Sequence, residues 1–307
     1  MQHTLKKSIS MSGIGLHRGK TVKLDIHPAD RDHGIVFVRT DLAGQDNVIP
    51  ARWDSVVDTQ LCTVIGNKEG ASVGTIEHLM SALRGCGIDN ALIELDAEEV
   101  PIMDGSALPF VQAIEEAGSI AQSAPRRAIR VLKEVFYQDG DKHVRLSPSE
   151  IPVYSGRIEY NHPDIGVQDY SLSLIGANFK HDVSDCRTFG FLKDVEAMRA
   201  AGLGLGGSLE NAVVLDEDGI LNEGGLRCTD EFIRHKVLDA VGDLALAGGP
   251  ILGHYQGVKA GHELNNRILA VLFADPEAYE VVDYYVDLEE TGRTIYPQIH
   301  KDSVQAA

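Results

Sequence analysis

Histidine and carboxylate residues recur at a spacing of four along one predicted helix in the second half of the chain. His235, Asp239 and Asp243 fall on one face of that helix, about 6 Å apart along the axis at each step. At this spacing His235 and Asp239 can coordinate one metal ion. Asp243, one turn further on, can orient a neighbouring group. The same spacing often occurs by chance on a solvent-exposed helix face. Taken alone, this helix therefore favours the interpretation that His235 and Asp239 are an ordinary surface pair over the interpretation that they bind a metal.

A second candidate group lies in the first half of the chain, where Glu77 and His78 open a short predicted helix. A metal held between the two halves would take His78, His235 and Asp239. Three protein ligands are typical of a catalytic zinc, which keeps one position for water. Glu77 would then be a general base beside that water. The alternative is that Glu77 only favours the positive end of a helix dipole.

Two further segments offer groups for catalysis or binding. His262 follows the strand that leaves the His235 helix, which suits an acid oriented by Asp243, although a lone histidine before a helix is usually structural. The glycine-rich segment 202–207 can cradle phosphate through its amides, expose backbone along an apolar channel, or form a flexible loop. A glycine-rich loop alone does not decide between these alternatives.

The elements that must position these groups follow from hydrophobic periodicity. Alternating apolar and polar residues predict strands, and apolar residues at helical spacing that stop at glycine predict helices. The predicted strands are 21–27, 34–39, 91–96, 128–137, 142–147, 213–215 and 251–258, and the predicted helices are 79–84, 109–117, 191–201, 230–247 and 263–273. Residues 119–127 are typical of a linker, and residues 161–175 of an insertion.

The order helix, glycine stop, strand, turn and helix occurs in both halves, at 77–117 and at 230–273. This repeated order of elements, called the sequence echo below, predicts an α+β fold of two related two-layer sandwich domains. Each domain is a sheet covered by helices on one face. Parallel β–α–β winding is disfavoured because the predicted helices are too few. The predicted domains are residues 1–122 and residues 123–307.

Composition and charge exclude several classes of protein. The 307 residues include 46 Asp and Glu against 28 Lys and Arg, and the net charge of −18 repels nucleic acid and anionic membrane surfaces. The four cysteines form no C-x-x-C pair, which favours a reducing compartment over a zinc ribbon or a disulfide scaffold. Neither a signal peptide nor a membrane-spanning apolar stretch is visible. We therefore expect a cytoplasmic, soluble monomer that binds no nucleic acid and does not insert stably into membranes.

Eight short segments, taken in order, resemble the UDP-3-O-acyl-N-acetylglucosamine deacetylase family, the zinc amidases of lipid A biosynthesis in Gram-negative bacteria. They are GIGLHRG at 13–19, TIEH at 75–78, PIMDGS at 101–106, NHP at 161–163, RTFGF at 187–191, GGS at 206–208, RHKVLD at 234–239 and GH at 261–262. Each segment is short, but their joint order is highly specific. The resemblance implies two βα sandwich domains that face each other, each with a small insertion.

The resemblance also implies a catalytic role for each matching residue. His78, His235 and Asp239 match the zinc ligands; Fe²⁺ is a second metal for such a site, because geometry and availability govern the choice. The other catalytic matches are Glu77 for the general base, His262 for the acid that protonates the leaving amine, Asp243 for the partner of that acid, Thr188 for a hydroxyl at the oxyanion and Lys236 for a lysine at the polar edge of the site.

Substrate-binding residues are implied in the same way. The matches to the nucleotide and diphosphate contacts are Lys142, Tyr160 and Lys259, and the matches to the acyl-chain passage are Leu16, Phe189, Leu192, Gly207, Ala212 and Val214. Tyr160 stands where the family pattern leads us to expect phenylalanine, and stacking on a base should survive that change. Cys62 matches a cysteine near the metal.

The activity implied by the resemblance is hydrolysis of the N-acetyl group of UDP-3-O-acyl-N-acetylglucosamine, a small-molecule substrate, to give the free amine and acetate in the committed step of lipid A biosynthesis. A water at the zinc, with its pKa lowered toward about 7, attacks the carbonyl while Glu77 takes its proton. Zinc and Thr188 stabilise the oxyanion, and His262 protonates the amine. A base and an acid with opposed protonation states predict a bell-shaped dependence of rate on pH.

Two other functions fit parts of the sequence. Residues 202–208 resemble the glycine-rich ATP loop of the GHMP kinases, which predicts ATP binding without a tightly held zinc. A non-catalytic protein with structural histidines predicts that removing metal changes no assay. The metal content of protein purified without added zinc separates these hypotheses from the amidase, for which we expect about one zinc per chain.

Overall fold

The computed structural model describes residues 1–285 and 298–300 of the chain. Its α-helices, numbered along the chain, are α1 (Glu77–Gly85), α2 (Leu108–Ala117), α3 (Asn178–Asp182), α4 (Leu192–Ala200), α5 (Glu231–Ala245) and α6 (His262–Ala274), and a 3-10 turn covers Trp53–Ser55. None of the described helices combines the length and the apolar character that crossing a membrane requires.

The described residues form twenty strands, numbered along the chain. They are β1 (His3–Leu5), β2 (Ile9–Ile14), β3 (Thr21–Pro28), β4 (Ile35–Arg39), β5 (Val48–Pro50), β6 (Val56–Asp58), β7 (Val64–Gly66), β8 (Ser72–Val73), β9 (Ala91–Leu95), β10 (Ser119–Ala121), β11 (Arg126–Val131), β12 (Val135–Asp139), β13 (Lys142–Pro148), β14 (Val153–Glu159), β15 (Val167–Ser173), β16 (Phe189–Phe191), β17 (Val213–Leu215), β18 (Ile251–Val258), β19 (Tyr279–Tyr285) and β20 (Gln298–His300).

The two main sheets have the same internal pairing. Neighbouring strands follow the order β2-β3-β9-β4-β5 in the first sheet, and the second sheet contains the run β12-β13-β18-β11-β19. In both sheets the successive pairs are antiparallel, antiparallel, parallel and antiparallel. β9 and β18, the strands of the sequence echo, are central in their sheets. The predicted α+β fold class is confirmed, and the boundary at residue 122 stays a prediction.

Alternation of side chains places the largest hydrophobic core between the sheets and the helices. Along β3, the side chains of Val22, Leu24 and Ile26 are buried while their neighbours face outward. They share a core with Leu79 of α1 and Leu238 of α5. Burial of this apolar surface is the main stabilising contribution to the fold.

Three segments differ from the sequence prediction. The predicted strand 128–137 is divided into β11 and β12, because residues 132–134 turn outward and are exposed. The predicted linker 119–127 contains β10, which pairs with β1, and the first residues of β11. The predicted insertion 161–175 contains β15, which forms an antiparallel hairpin with β14 on the second sheet.

Gly156 explains why β14 escapes recognition from the sequence. Glycine weakens a strand pattern, yet a Cβ atom at this position would lie 2.9 Å from the Cδ1 atom of Ile233 in α5. The missing side chain at Gly156 thus accommodates the close approach of α5 to the sheet, at a position that the sequence pattern counts against a strand.

β16, α4 and β17 form a small separate unit in which the two strands pair in parallel around the intervening helix. This unit departs from the prediction that disfavoured β–α–β winding. A single short helix is enough to connect two parallel strands of three residues each.

The helices α1 and α5 pack directly on each other. A Cβ atom at Gly242 would lie 2.0 Å from the carbonyl oxygen of Glu77, so the two backbones touch at this point. Of the 15 residues of α5, only Arg234 and Lys236 are not buried. The alternative that His235 and Asp239 form an ordinary surface pair is therefore wrong.

Candidate metal centre and active site

Three side chains from two helices meet in the interior, where α1 packs on α5. One nitrogen of His78, one nitrogen of His235 and one carboxylate oxygen of Asp239 lie within 4.8 Å of one another. Oδ1 of Asp239 lies 3.3 Å from Nε2 of His235 and 3.6 Å from Nε2 of His78. All three residues are buried. Helix spacing supplies two of these groups, and the contact between the helices supplies the third.

These interatomic distances suit a metal ion. Ligands placed tetrahedrally about 2.0–2.1 Å from Zn²⁺ are about 3.3 Å apart. Within the described part of the chain, Oδ1 of Asp239 and Nδ1 of His78 are buried without a hydrogen-bond partner. A buried carboxylate oxygen without a partner is costly, and a cation held between it and the two imidazoles removes that cost. The residues present therefore fit a zinc ion.

Groups around the triad hold its side chains in the protonation states that a metal needs. Nδ1 of His235 lies 3.0 Å from the carbonyl oxygen of Cys186, and donation to that oxygen leaves the Nε2 lone pair free. Burial lowers the pKa of His235 to about 4, so its ring is neutral at neutral pH. Nζ of Lys236 donates to Oδ2 of Asp239 at 2.9 Å. Burial acts to raise the pKa of Asp239, but the adjacent His235 imidazole and the positive charge of Lys236 outweigh it and hold that pKa well below its usual range.

A second cluster lies beside the first, formed by Glu77 of α1, Asp243 of α5 and His262 of α6. Nδ1 of His262 lies 2.8 Å from Oδ2 of Asp243, and Nε2 of His262 lies 3.8 Å from Oε1 of Glu77. The backbone N–H of Thr63 donates to Oε2 of Glu77 at 3.1 Å, and its hydroxyl donates to Oδ1 of Asp243 at 2.5 Å. The free oxygen of Glu77 and the free nitrogen of His262 thus face each other.

The electrostatics of this cluster favour an acid and a base at neutral pH. Burial raises the pKa of Glu77, against the opposing charges of His262 and His78. Burial acts to lower the pKa of His262, but the carboxylates of Asp243 and Glu77 outweigh it and raise that pKa to about 9. A proton donor and a carboxylate with a raised pKa are the two kinds of group that general acid–base catalysis uses.

An apolar cavity of about 250 Å³ opens beside Thr188, between the N-terminal segment and the unit built from β16, α4 and β17. All six residues predicted for an acyl-chain passage line it, namely Leu16, Phe189, Leu192, Gly207, Ala212 and Val214. The sequence reasoning missed other residues of its wall, among them Val195, Met198, Leu209 and Leu221. Of the three alternatives for the glycine-rich segment, the structure favours an apolar channel, because Gly204, Gly207 and Ser208 also line this cavity.

Comparison with protein families decides where the chain belongs. The model of the family described as UDP-3-O-acyl N-acetylglycosamine deacetylase matches residues 2–274. The chain belongs to this family. It is therefore a deacetylase, and deacetylases are hydrolases.

Curated relatives agree over almost the whole length of the chain. A protein of Phenylobacterium zucineum named UDP-3-O-acyl-N-acetylglucosamine deacetylase is 50 % identical over 289 residues, which cover 94 % of this chain and 99 % of the relative. Proteins with the same name from Myxococcus xanthus and Campylobacter fetus are 50 % and 46 % identical; each match covers 92 % of this chain, with 89 % and 94 % of the respective relative.

In this deacetylase the three residues predicted to contact the nucleotide lie in two places. The ring of Tyr160 lies 5.8 Å from that of Phe189, which lines the apolar cavity, and 5.9 Å from that of Phe191. Lys142 opens β13 and is exposed, and the pairing of β13 with β18 brings it to the same end of the sheet as Lys259. Nζ of Lys259 lies 2.9 Å from Oδ2 of Asp141 and 2.8 Å from Oε2 of Glu159.

Two supporting residues of the deacetylase were not predicted. Nδ2 of Asn265 donates to Oδ2 of Asp243 at 2.8 Å, and Oδ1 of Asn265 accepts from the hydroxyl of Tyr255 at 2.5 Å. The position of Asn265, three residues after His262 on α6, is the signal that could have found it. Thr63 gives no such signal, because it lies in a loop that only the tertiary fold brings to the site.

His17, in the segment 13–19, is a further buried residue at the site. Both of its ring nitrogens are buried without a hydrogen-bond partner among the described residues. Its backbone N–H donates to the carboxylate of Glu99 at 2.9 Å. It lines both the apolar cavity and a neighbouring cavity of about 160 Å³, in whose wall Cys62 also lies. Burial raises the pKa of the Cys62 thiol to about 12, so this thiol stays protonated.

Proposed function

We propose that this deacetylase removes the N-acetyl group of UDP-3-O-acyl-N-acetylglucosamine with one zinc ion, as a step of lipid A biosynthesis. One observation carries the proposal: a His₂Asp ligand set and a carboxylate–imidazole pair share the same helix contact, beside an apolar cavity. The names of the curated relatives support the substrate. The donor set also suits Fe²⁺.

Substrate binding divides between the apolar cavity and two lysines. The cavity takes the acyl chain, because burial of each CH₂ contributes about 0.8 kcal/mol. Tyr160, next to Phe189 of the cavity wall, provides a ring on which a base can stack. Lys142 and Lys259 provide the positive charge for the diphosphate. Since Lys259 already pairs with Asp141 and Glu159, the diphosphate has to compete with two carboxylates for it.

A zinc ion held by His78, His235 and Asp239 would polarise the amide carbonyl and lower the pKa of a water. Glu77 accepts the proton of the attacking water at Oε1, because Oε2 is held by the Thr63 backbone. Thr188 lines the cavity and offers its hydroxyl to the oxyanion. Lys236 keeps Asp239 ionised.

His262 then donates the proton from Nε2 to the leaving amine, because Nδ1 is engaged by Asp243. Without that proton the amine is a poor leaving group. Asp243 holds the orientation of the imidazole and favours its cationic form, and Thr63 and Asn265 fix Asp243 in turn. The three residues around His262 thus prepare a proton donor before the substrate arrives.

A deacetylation assay on UDP-3-O-acyl-N-acetylglucosamine tests the proposed function. We expect acetate release that a chelator abolishes and that added zinc restores. The same protein should not turn over ATP. Acetate release that persists after complete metal removal would contradict the role of the metal, and inactivity on this substrate would contradict the substrate.

Replacing Asp243 by asparagine should shift the alkaline limb of the pH–rate profile to lower pH. His262 acts in its protonated form, so activity falls as pH rises through its pKa, which is about 9 in the wild type. Loss of the Asp243 charge removes the main attraction for that proton, and burial then lowers the pKa, by about one to three units. Glu77 and Asp239 also raise this pKa and stay in place. The measurement is kcat between about pH 6 and pH 10.

Asp275→Asn, just beyond the end of α6, is the matched control. Asp275 pairs with Lys133 at the surface and touches no group of the site. The pH–rate profile of Asp275→Asn should coincide with that of the wild type. An unchanged alkaline limb in Asp243→Asn would show that His262 is not the acid.

Replacing Ala212 by phenylalanine should select against long acyl chains. The added ring occupies the cavity, so a long chain leaves methylene groups in water. With about 0.8 kcal/mol lost for each CH₂, kcat/KM should fall about 10-fold or more for a long-chain substrate and little for a short one. Ala200→Phe, on the exposed side of α4, is the control, and its kcat/KM should match that of the wild type for both substrates. Equal losses on both substrates in Ala212→Phe would place the acyl chain elsewhere.

A further inference from the structure

Two cysteine thiols lie together behind the helix that carries the proposed metal ligands. Sγ of Cys186 and Sγ of Cys228 are 3.9 Å apart, although 42 residues separate them in sequence. Both are free thiols; Cys186 is buried and Cys228 is partly exposed. A disulfide needs an S–S distance of about 2.05 Å, so an approach of about 1.9 Å closes the bond.

The two cysteines are held in place by the first residue of α5. Glu231 is fully buried and accepts hydrogen bonds from the backbone N–H of Arg187 at 2.9 Å and from that of Arg227 at 2.7 Å. Each of these arginines is the neighbour of one cysteine. A single carboxylate thus fixes both loops at one helix end, which keeps the thiols in contact.

The same pair supports a proposed metal ligand. The carbonyl oxygen of Cys186 lies 3.0 Å from Nδ1 of His235, one turn along α5 from Glu231. Groups that hold a metal-binding histidine in this way typically change metal affinity 10- to 100-fold when they are altered. A movement of Cys186 toward Cys228 therefore acts on the support of His235.

The proposed mechanism uses neither thiol. Among the described residues, Cys186 and Cys228 are the only cysteines in hydrogen-bond contact with each other. Cys62 and Cys86 have no such thiol neighbour there. The catalytic function thus leaves this contact unexplained, whereas oxidation chemistry would use it directly.

We propose that Cys186 and Cys228 form a reversible disulfide in the presence of a peroxide, and that this bond weakens metal binding by displacing the support of His235. The second part rests on the proposed metal site. The sulfur of Cys228 attacks one oxygen of hydrogen peroxide, which breaks the O–O bond and gives a sulfenic acid and water.

The sulfur of Cys186 then attacks the sulfenic sulfur, forming the S–S bond and releasing a second water. Two thiols and one peroxide thus give one disulfide and two waters, and two electrons pass from the sulfurs to the peroxide. Cys228 reacts first because it is the more exposed of the two. Burial raises the pKa of both thiols, so they are protonated at neutral pH and sustained exposure to peroxide is required.

Peptide mapping without reduction tests the bond. Zinc-loaded protein is treated with hydrogen peroxide, remaining thiols are alkylated, and the protein is digested with trypsin. Cleavage after Lys180, Arg187, Arg227 and Arg234 places the two cysteines in peptides 181–187 and 228–234. We expect these peptides to be joined, with a mass two hydrogens below their sum, and to separate on reduction with dithiothreitol.

Zinc competition with a chromogenic chelator tests the consequence. The apparent zinc affinity of the oxidised protein should fall about 10-fold or more and should recover after reduction. Cys228→Ser should bind zinc as the reduced wild type does, and peroxide should not change its affinity. Cys86→Ser, a matched control at an unrelated thiol, should keep both responses of the wild type.

The possible outcomes separate the two parts of the proposal. Absence of the joined peptides after sustained exposure, or oxidation of single cysteines to sulfinic acid instead, overturns the disulfide. Joined peptides with unchanged zinc affinity overturn the effect on metal binding, as does an affinity loss that persists in Cys228→Ser. If the reduced wild type binds no zinc, the proposed metal site fails, and peptide mapping still decides the disulfide.

Discussion

Glu77→Ala should retain about one zinc ion per chain while its turnover falls about 100-fold or more. Glu77 is not one of the three metal-facing groups, because its free oxygen points to His262 and its other oxygen is held by the Thr63 backbone. Its removal takes away the base and leaves the ligand set. The measurements are kcat under saturating substrate and zinc content by elemental analysis after gel filtration.

Glu77→Gln sharpens this result, because the amide keeps the shape of the side chain but cannot accept the proton. It should be about as inactive as Glu77→Ala. Glu263→Ala, in the exposed first turn of α6, is the matched control and should have wild-type turnover. Normal turnover in Glu77→Gln would show that the base is another group, whereas loss of zinc in both variants would make Glu77 part of the metal site.

His78→Ala should reduce the zinc content from about one ion per chain to a small fraction. The variant leaves His235 and Asp239, which are two ligands from one helix, and two ligands hold Zn²⁺ far more weakly than three. It should also lose the deacetylase activity, since the carbonyl then has no cation to polarise it. Zinc content, measured in protein purified without added metal, is the direct test.

His33→Ala is the control for this substitution, because His33 is exposed and far from α1 in the sequence. Circular dichroism establishes that His78→Ala keeps its fold, and His235→Ala provides a second test on the other helix. A full zinc complement in both histidine variants would mean that the metal site is elsewhere in the chain.

Local spacing made part of the candidate site predictable. His235, Asp239 and Asp243 follow helix geometry, and Glu77 and His78 open a helix at the corresponding place of the sequence echo. The echo itself reflects a real similarity, since β9 and β18 occupy equivalent positions in their sheets. Hydrophobic patterns with a period of two or 3.6 residues therefore predicted most of the secondary structure.

What the sequence did not predict depends on contacts between distant segments. Thr63 reaches Glu77 and Asp243 from a loop, and no local pattern marks it. β14 was missed because its pattern is interrupted by Gly156, where α5 packs closely on the strand. The engagement of Lys259 by two carboxylates likewise follows only from the fold, because Asp141 is 118 residues away in the chain.

Gly242 contributes no functional group, yet both halves of the candidate site depend on it. A Cβ atom at Gly242 would lie 2.0 Å from the carbonyl oxygen of Glu77, so any side chain there would drive apart the helices that hold the base and the ligands. If every residue were substituted in turn, activity should therefore be as sensitive to changes at Gly242 as to changes at the catalytic and metal-binding residues. Intolerance to substitution at Gly242 would therefore report how closely two backbones must approach, and not which atoms react.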